Sequence, residues 1–173
     1  MTEEQRKLCH DLVIHVDGRR RITKEEFLRR FPSSVEGGKV ASRLLEDAYT
    51  TQNADDLQCV LIIGFSFGFA SAHEDILRRL VDVDWHHSHE DVVGALDGLR
   101  TPNAVDALFR ATQWIPKSLE YDDSRALAVK AIWALGKIPG IEAETKLETI
   151  ARSDNAIVRE AAVEQLERRR GAT

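Results

Sequence analysis

Histidines and an aspartate gather in one short segment whose residue types could bind a metal ion. Asp84 is followed by His86, His87 and His89, and imidazole and carboxylate groups are common protein ligands of zinc. Adjacent histidines in a short linker rarely converge on one ion without a fourth, separately placed ligand. We therefore predict no metal site and no cofactor. A helix-capping or pH-sensitive role fits these histidines better.

Two His-Glu pairs, at 73–74 and 89–90, offer ligands that suit oxygen-activating iron. The two histidines are only 16 residues apart (89 − 73), and each stands near the predicted start of a helix. The acidic residues have a simpler explanation, because the positive end of the helix dipole stabilises a carboxylate in the first turn. Iron ligation by these pairs is the alternative.

The segment 64–68 (Gly-Phe-Ser-Phe-Gly) matches the G-x-S-x-G motif of serine hydrolases. That motif works on a sharp turn between a strand and a helix, with an acid and a histidine further along the chain. Here the last histidine is His89, only 23 residues after Ser66, and no alternation of strands and helices surrounds the motif. We predict a buried helix with small residues for close packing, and no catalytic residue.

Acidic residues are concentrated in the middle of the chain. The 173 residues carry 29 acids and 24 bases, whereas residues 82–123 alone carry nine acids and three bases. Such a surface repels nucleic acid and attracts basic partners, although a solvated face without a partner has the same composition. The basic turn at 19–21 is interpreted as a solvated loop.

Aromatic side chains beside acids are typical of interface hot spots, although rings that cover the core under a loop are the alternative. Trp133 is predicted to lie in the core as a structural residue. We predict that the partner-binding residues are Asp97, Asp106, Trp114, Glu120, Tyr121, Asp122 and Asp123.

Composition describes an ordinary folded protein that is long enough to bury a core. Cys9 and Cys59 lie on apolar stretches and are expected to be buried thiols in a reducing compartment. The first residues carry no signal-peptide pattern, and the longest apolar run, 59–65, is too short to cross a membrane. We expect a cytoplasmic protein that does not enter a membrane.

Caps, turns and apolar periodicity predict an all-α fold of about nine helices, mostly antiparallel because the gaps are short. No convincing strand emerges. A longer loop is predicted at 114–122. The candidate helical segments are 2–16, 24–31, 36–50, 54–68, 72–81, 89–99, 102–113, 123–137, 141–152 and 155–170.

A repeated pattern lies near the C-terminus. Ala131 and Ala162 are 31 residues apart, and so are Leu135 and Leu166. A unit of two short helices, with small residues where helices must approach closely, is typical of a right-handed α-solenoid. We predict a single domain over 1–173, with an irregular helical part at 1–81 and repeats at 85–173.

The repeats resemble HEAT repeats, in particular the short, phycobilisome-lyase-like type. The matching segments are 126–136 (ALAVKAIWALG) and 157–166 (IVREAAVEQL), and a weaker copy at 89–114 is offset by 39 residues. The resemblance covers about half of the chain and implies a HEAT-like superhelix. HEAT-like hydroxylases hold two irons with four His-Glu pairs, whereas this chain has two. HEAT-like DNA glycosylases need a basic concave face, which the acidic middle does not favour.

A looser resemblance concerns function. The segments 84–91, 121–123 and 130–136 are similar to parts of small bacterial HEAT-like proteins, some of which are immunity partners of secreted polymorphic toxins. The resemblance implies a non-enzymatic binding module, either monomeric or in a 1:1 heterodimer with one basic partner, here a toxin domain. A metal-dependent hydroxylase, a serine hydrolase and a general assembly scaffold or chaperone are the alternatives.

Overall fold

The computed structural model describes residues 1–13 and 21–171, and this part of the chain is mostly helical. Short 3-10 turns lie at Pro32–Ser34, Ser71–His73, Pro102–Ala104 and Lys117–Leu119. The ten α-helices of the described residues are α1 (Glu3–Asp11), α2 (Lys24–Arg30), α3 (Ser42–Thr50), α4 (Ala54–Phe67), α5 (Glu74–Leu80), α6 (His89–Leu99), α7 (Val105–Gln113), α8 (Ala126–Lys137), α9 (Ile141–Ile150) and α10 (Ala156–Gly171).

The all-α prediction is wrong at one place, where a small antiparallel hairpin replaces the start of the predicted 36–50 helix. Strands β1 (Val35–Glu36) and β2 (Lys39–Val40) pair with each other, and α3 begins only at Ser42. Gly37 and Gly38 connect the strands with φ angles of 55° and 79°. Glycine adopts positive φ without a Cβ clash, so a Gly-Gly pair favours a two-residue hairpin turn over a helix.

The chain divides into two compact units, which we call unit 1 (Met1–Ile76) and unit 2 (Leu77–Thr173). The boundary lies within α5, close to the point at which the repeat-like pattern begins in the sequence. The predicted first helix, 2–16, is too long, because α1 ends at Asp11 with Leu12 as its C-cap. Residues 14–16 of that prediction and the predicted turn at 17–18 lie outside the described residues, as do two of the three arginines at 19–21.

Unit 1 is organised around α4, the most apolar helix of the chain. Helices α1 and α3 and strand β2 pack against it. Its buried side chains include Leu57, Leu61 and Ile63, and Phe27 of α2 is also fully buried. A pair of phenylalanines joins α2 and α4, since Phe27 stacks on Phe67 with 5.8 Å between the ring centroids. Burial of these apolar side chains stabilises the unit.

Unit 2 places α8 at its centre, in contact with α6, α7, α9 and α10. Helix α7 also packs against α9, so successive helices alternate between two sides of the unit. The repeated residues Ala131, Ala162 and Leu135 are all fully buried, and Leu166 is nearly so. Small residues at these positions allow the close helix approach that the spacing predicted.

The helices of the described residues are too short or too polar to cross a membrane. None of them has the length and apolar character that a bilayer requires.

Candidate functional site

Four of the nine acidic residues of 82–123 form ion pairs with bases of unit 2. Asp82 binds Arg110 of α7 at 2.7 Å. Three further acids, listed here with their partners and N···O distances, bind lysines of the following helices: Glu90–Lys130 at 3.7 Å, Asp97–Lys137 at 2.6 Å and Asp106–Lys146 at 2.8 Å. In these three pairs the base lies 40 residues after the acid (130 − 90, 137 − 97 and 146 − 106). The recurrence shows that α8 and α9 stand in the same register to α6 and α7, respectively.

These ion pairs change the interpretation of two predicted binding residues. Asp97 is partly buried against α8, and Asp106 is held by Lys146, whose hydrogen bond lowers the pKa of the carboxyl group. Both carboxylates are therefore engaged within unit 2. Because three of the pairing lysines lie outside 82–123, the formal charge of that surface falls from −6 to −3 (3 − 9, then −6 + 3).

The loop between α7 and α8, residues 114–125, carries the other predicted binding residues. Tyr121 is 94% exposed and Ile115 is 45% exposed. Glu120 and Asp123 are exposed on either side of the tyrosine, and among the described residues neither forms an ion pair. Aromatic surface that projects into water without covering a core is unusual, and it is what an interface hot spot needs before a partner arrives.

Asp122 has a structural role that sequence analysis did not assign to it. Its carboxylate accepts hydrogen bonds from the backbone N–H of Ser124 at 3.1 Å and of Ala126 at 2.6 Å, and from the Ser124 hydroxyl. The bond from Ser124 contributes most to a lowered pKa of this carboxyl group. Asp122 thereby caps the start of α8. Arg125 has a φ of 54°, which turns the chain into the helix. The C-terminal end of the loop is thus fixed.

Trp114 fixes the N-terminal end of the same loop. It follows α7 directly and is half-buried. Its ring stands edge-on to His89 with 4.7 Å between centroids. A small cavity beneath the loop is lined by Trp114, Pro116, Leu119 and Leu127. Trp114 therefore anchors the loop from below, while Tyr121 projects from it.

His86 and His89 are both buried, and backbone carbonyls determine their tautomers. The Nε2 of His86 donates to the carbonyl of Leu80 at 3.0 Å, while its Nδ1 accepts from Ser88 N–H at 3.1 Å. The Nε2 of His89 donates to the carbonyl of Val83 at 2.8 Å. A carbonyl can only accept, so both rings carry their proton on Nε2. The Nδ1 of His89 has no hydrogen-bond partner among the described residues.

The two imidazoles also stack on one another, with 4.1 Å between centroids and 26° between planes. Burial lowers the pKa of His86 to about 4, and the neighbouring His89 adds to the effect. Burial likewise lowers the pKa of His89. Both rings are neutral at pH 7. With Trp85 against His86 and Trp114 against His89, four rings form one continuous row.

The placement of the remaining candidate metal ligands can be described residue by residue. Among the described residues, no group of three or more histidine, cysteine or acidic side chains is placed to hold a metal ion. The other histidine of the His-Glu pairs, His73, lies in unit 1. Its Nδ1 accepts from Ala70 N–H at 2.9 Å, and its Nε2 contacts the Ser42 hydroxyl at 2.9 Å. Both of its ring nitrogens are occupied.

The G-x-S-x-G segment forms the C-terminal end of α4 instead of a strand-to-helix turn. Ser66 lies within the helix, and its carbonyl accepts a hydrogen bond from Lys24. Gly64 lies against the ring of Phe69 and leaves no room for a Cβ there. Gly68 ends the helix with a φ of 103°. The prediction of a helix is confirmed and Gly64 serves close packing, but the segment is not buried throughout, because Phe65 is 54% exposed and Gly68 ends the helix.

The prediction for Trp133 is wrong, because the ring is 37% exposed instead of lying in the core. The guanidinium of Arg168, on α10, lies over it at 4.5 Å from the centroid. Arg168 also pairs with Glu164 at 2.7 Å. The apolar positions of α8 that face the core are Ala131, Ile132 and Leu135, and Trp133 falls outside that face. A strict helical period of 3.6 assigns it to the surface.

Comparisons with known proteins add no assignment. No family model matches the chain, and neither does any curated protein or solved structure. Sequence reasoning also missed Ile115 and the three ion pairs. The pairs left a detectable signal, namely three acids that each precede a lysine by the same 40 residues.

Proposed function

We propose that this protein is a non-enzymatic binding module and that its 114–125 loop binds one basic protein. The observation that carries the proposal is the near-complete exposure of Tyr121 on a loop held at both ends. A tyrosine has few rotatable bonds and a large surface, so its burial in a partner costs little conformational entropy. Ile115 extends the apolar contact.

The charge that supports binding is more local than the composition suggested. Asp97 and Asp106 are engaged by lysines, whereas Glu120 and Asp123 flank Tyr121 and are exposed. These two carboxylates favour a partner with lysine or arginine around an apolar pocket. Since residues 82–123 keep a formal −3 after pairing, steering contributes less than burial of the tyrosine. Affinity is expected to depend on Tyr121 more than on salt.

We also propose a HEAT-like repeat architecture for unit 2. The alternation of helices between two sides, the buried repeated alanines and the constant offset of the ion pairs support it. In such a stack each helix pair contacts its neighbours, and loops between pairs present binding residues. The 114–125 loop lies between two such pairs, α6–α7 and α8–α9.

The sharpest version of the proposal is an immunity protein that neutralises a toxin domain in the cytoplasm, as a monomer that forms a 1:1 heterodimer. The resemblance to small HEAT-like immunity proteins supports this version, and the exposed loop supplies a surface for it. A general scaffold would instead bind several partners through different faces.

Affinity recovery from the native host tests the proposal. Tagged wild-type protein, Tyr121→Ala and a matched control, Ile141→Ala, would be recovered at low salt and analysed by mass spectrometry. Ile141 is also a large exposed apolar residue, at 77%, but stands on α9 away from the loop. We expect one basic chain at near-equal stoichiometry with wild type and with the control, and its loss from the Tyr121 variant.

Two results would contradict the proposal. Retention of the same chain by Tyr121→Ala would move the binding surface elsewhere. Near-stoichiometric iron without any partner, lost when His73 and His89 are replaced, would favour the hydroxylase alternative.

A further inference from the structure

We infer that the stacked pair His86 and His89 is a positioning device for the 114–125 loop, and that its protonation releases the loop through Trp114. The structural part of this inference concerns the protein alone. Its consequence for partner binding rests on the proposed function of the loop.

The first step is the physical connection between the histidines and the loop. His89 is the first residue of α6 and is buried. Its ring stands edge-on to that of Trp114, with 4.7 Å between the ring centroids. An edge-on ring pair stabilises the contact beyond simple burial. Trp114 in turn lines the cavity beneath the loop with Pro116 and Leu119. The histidine pair therefore supports the floor on which the loop rests.

The second step is that this support requires neutral rings. A second proton would go to Nδ1 on each histidine. On His89 that atom is buried and has no acceptor among the described residues. On His86 the same atom already accepts from Ser88 N–H, and a protonated Nδ1 would place two donors face to face. Two imidazolium rings stacked at 4.1 Å would also repel each other.

The surrounding charges do little to compensate for such a proton. Asp82 is the acid that raises the pKa of His89, but its carboxylate is already held by Arg110 of α7 through two hydrogen bonds. His87 lies beside both rings and disfavours a further positive charge. On the side of α6 and α8, Glu90 is paired with Lys130. The pair is therefore surrounded by groups that are engaged or repulsive.

The third step is what gives way when a proton enters. Helices α6, α7 and α8 are held together by many buried apolar side chains. The contact of His89 with Trp114 is a single ring pair, and Trp114 is only half-buried. The least costly response is for Trp114 to leave the stack and admit water to Nδ1. The loop then loses its support at one end while Asp122 still holds the other.

The test uses the unliganded protein with Trp114 as its only tryptophan, through Trp85→Phe and Trp133→Phe. Tryptophan emission, far-UV circular dichroism and ¹⁵N shifts of the imidazoles are followed as pH is lowered from 8 to 3. We expect Nε2-protonated neutral rings at pH 7. On acidification, the Trp114 emission should shift to the red with the same midpoint as protonation of His86 and His89, while the helical signal is retained.

Two variants separate the histidine pair from other acid effects. His89→Phe keeps a ring against Trp114 but cannot take a proton, so the emission change should disappear or move by more than one pH unit. His87→Gln, which removes a repulsive exposed neighbour, should retain the transition and move its midpoint to slightly higher pH. Should His89→Phe fold poorly, the imidazole shifts of the parent protein still decide whether the two midpoints coincide.

Three results would overturn the inference: unchanged Trp114 emission through histidine protonation, the same transition in His89→Phe, or loss of the helical signal at the same pH. Adding Tyr121→Ala keeps this test separate from that of the proposed function. That variant should retain the acid transition whether or not the loop binds a partner.

Discussion

The two units differ in the charged groups that they bury, although unit 1 also holds one buried imidazole, His73. Unit 1 buries a carboxylate, Asp56, which is bound by the Met1 ammonium at 2.6 Å and by Arg6 at 2.7 Å. Unit 2 instead buries two uncharged imidazoles, His86 and His89. A buried ionised group needs partners of opposite charge or hydrogen bonds, whereas burial without such partners favours the neutral form. Unit 1 therefore depends on a buried charge in addition to the neutral His73, whereas the histidine pair of unit 2 depends on the absence of charge.

The direction of the pKa shifts follows from this difference. Burial alone would raise the pKa of Asp56, but the hydrogen bonds from Met1 and Arg6 together outweigh it and lower the pKa. Burial lowers the pKa of His86 to about 4, and no acid of the described residues contributes to raising it. Both shifts make the native state less stable in acid, but they act in different pH ranges.

The largest expected effect is a difference between the units on acidification. His86 has a folded pKa of about 4 and an unfolded value of about 6.5, so its contribution is complete above pH 6.5 and is lost as pH falls towards 4. The loss amounts to roughly 3 kcal/mol from this residue alone. Asp56 contributes above about pH 4 and is lost only below it, through its lowered pKa. Hydrogen exchange of α4 and α8, corrected for intrinsic rates, should show α8 losing protection first.

A variant of His73, the buried histidine of unit 1, provides the control for this prediction. The pKa of His73 is also lowered by burial, so unit 1 loses some stability in the same range. His73→Gln removes that contribution and should widen the difference between the units. Parallel loss of protection in α4 and α8 in this variant would contradict the comparison.

A second prediction concerns two helical glycines, one in each unit. A Cβ at Gly64 would overlap the ring of Phe69, whereas at Gly136 it would meet Gln165, with the Cγ at 2.9 Å. Overpacking against a rigid ring costs about 1–3 kcal/mol, and we expect Gly64→Ala to lose about 2 kcal/mol. The end of the Gln165 side chain can turn away, although its Cβ at 3.0 Å must shift by a few tenths of an ångström, and helix propensity favours alanine, so Gly136→Ala should lose less than Gly64→Ala, about 1 kcal/mol.

Urea unfolding followed by circular dichroism measures both changes. Partner truncation provides the control: Phe69→Ala should recover part of the loss caused by Gly64→Ala, and Gln165→Ala should do the same for Gly136→Ala. Equal losses in the two units would mean that the rigidity of the neighbouring side chain does not decide the cost.

The sequence predicted unit 2 better than unit 1, for a physical reason. Apolar periodicity and small residues at 31-residue spacing identify helices whose neighbours lie nearby in the chain. In unit 1 the apolar residues after Val40 match a helical pattern, but the Gly37-Gly38 pair forms a turn and the segment Val35–Val40 folds as a hairpin. Local propensity decided that segment, and periodicity did not.

The candidate site was predictable only in part. The loop and its aromatic residues follow from composition and the absence of helical periodicity at 114–122. Which acids are free depends on pairing with Lys130, Lys137 and Lys146, and therefore on how helices 40 residues apart align. The histidine row was equally hidden, since it depends on carbonyls left at the end of α5 and after it. Such contacts are fixed by tertiary packing: the ion pairs leave only a spacing of 40 residues in the sequence, and the contacts of the histidines with backbone carbonyls leave no pattern.

The smallest expected effect concerns those ion pairs. Asp97 and Lys137 are partly exposed, and exposed pairs contribute about 0.2–1 kcal/mol. We expect a coupling free energy of about 0.5 kcal/mol from a double-mutant cycle of Asp97→Ala and Lys137→Ala, measured by urea unfolding. Raising the salt concentration to about 1 M should reduce it towards zero, because screening acts most strongly on exposed charges. A cycle of Arg6→Ala and Asp56→Ala serves as the unit 1 control, since Asp56 is largely buried and its coupling should depend less on salt. Equal salt dependence in the two cycles would show that the charges of both units are solvated alike, and the contrast between a unit that needs a buried charge and one that keeps its charges at the surface would then be lost.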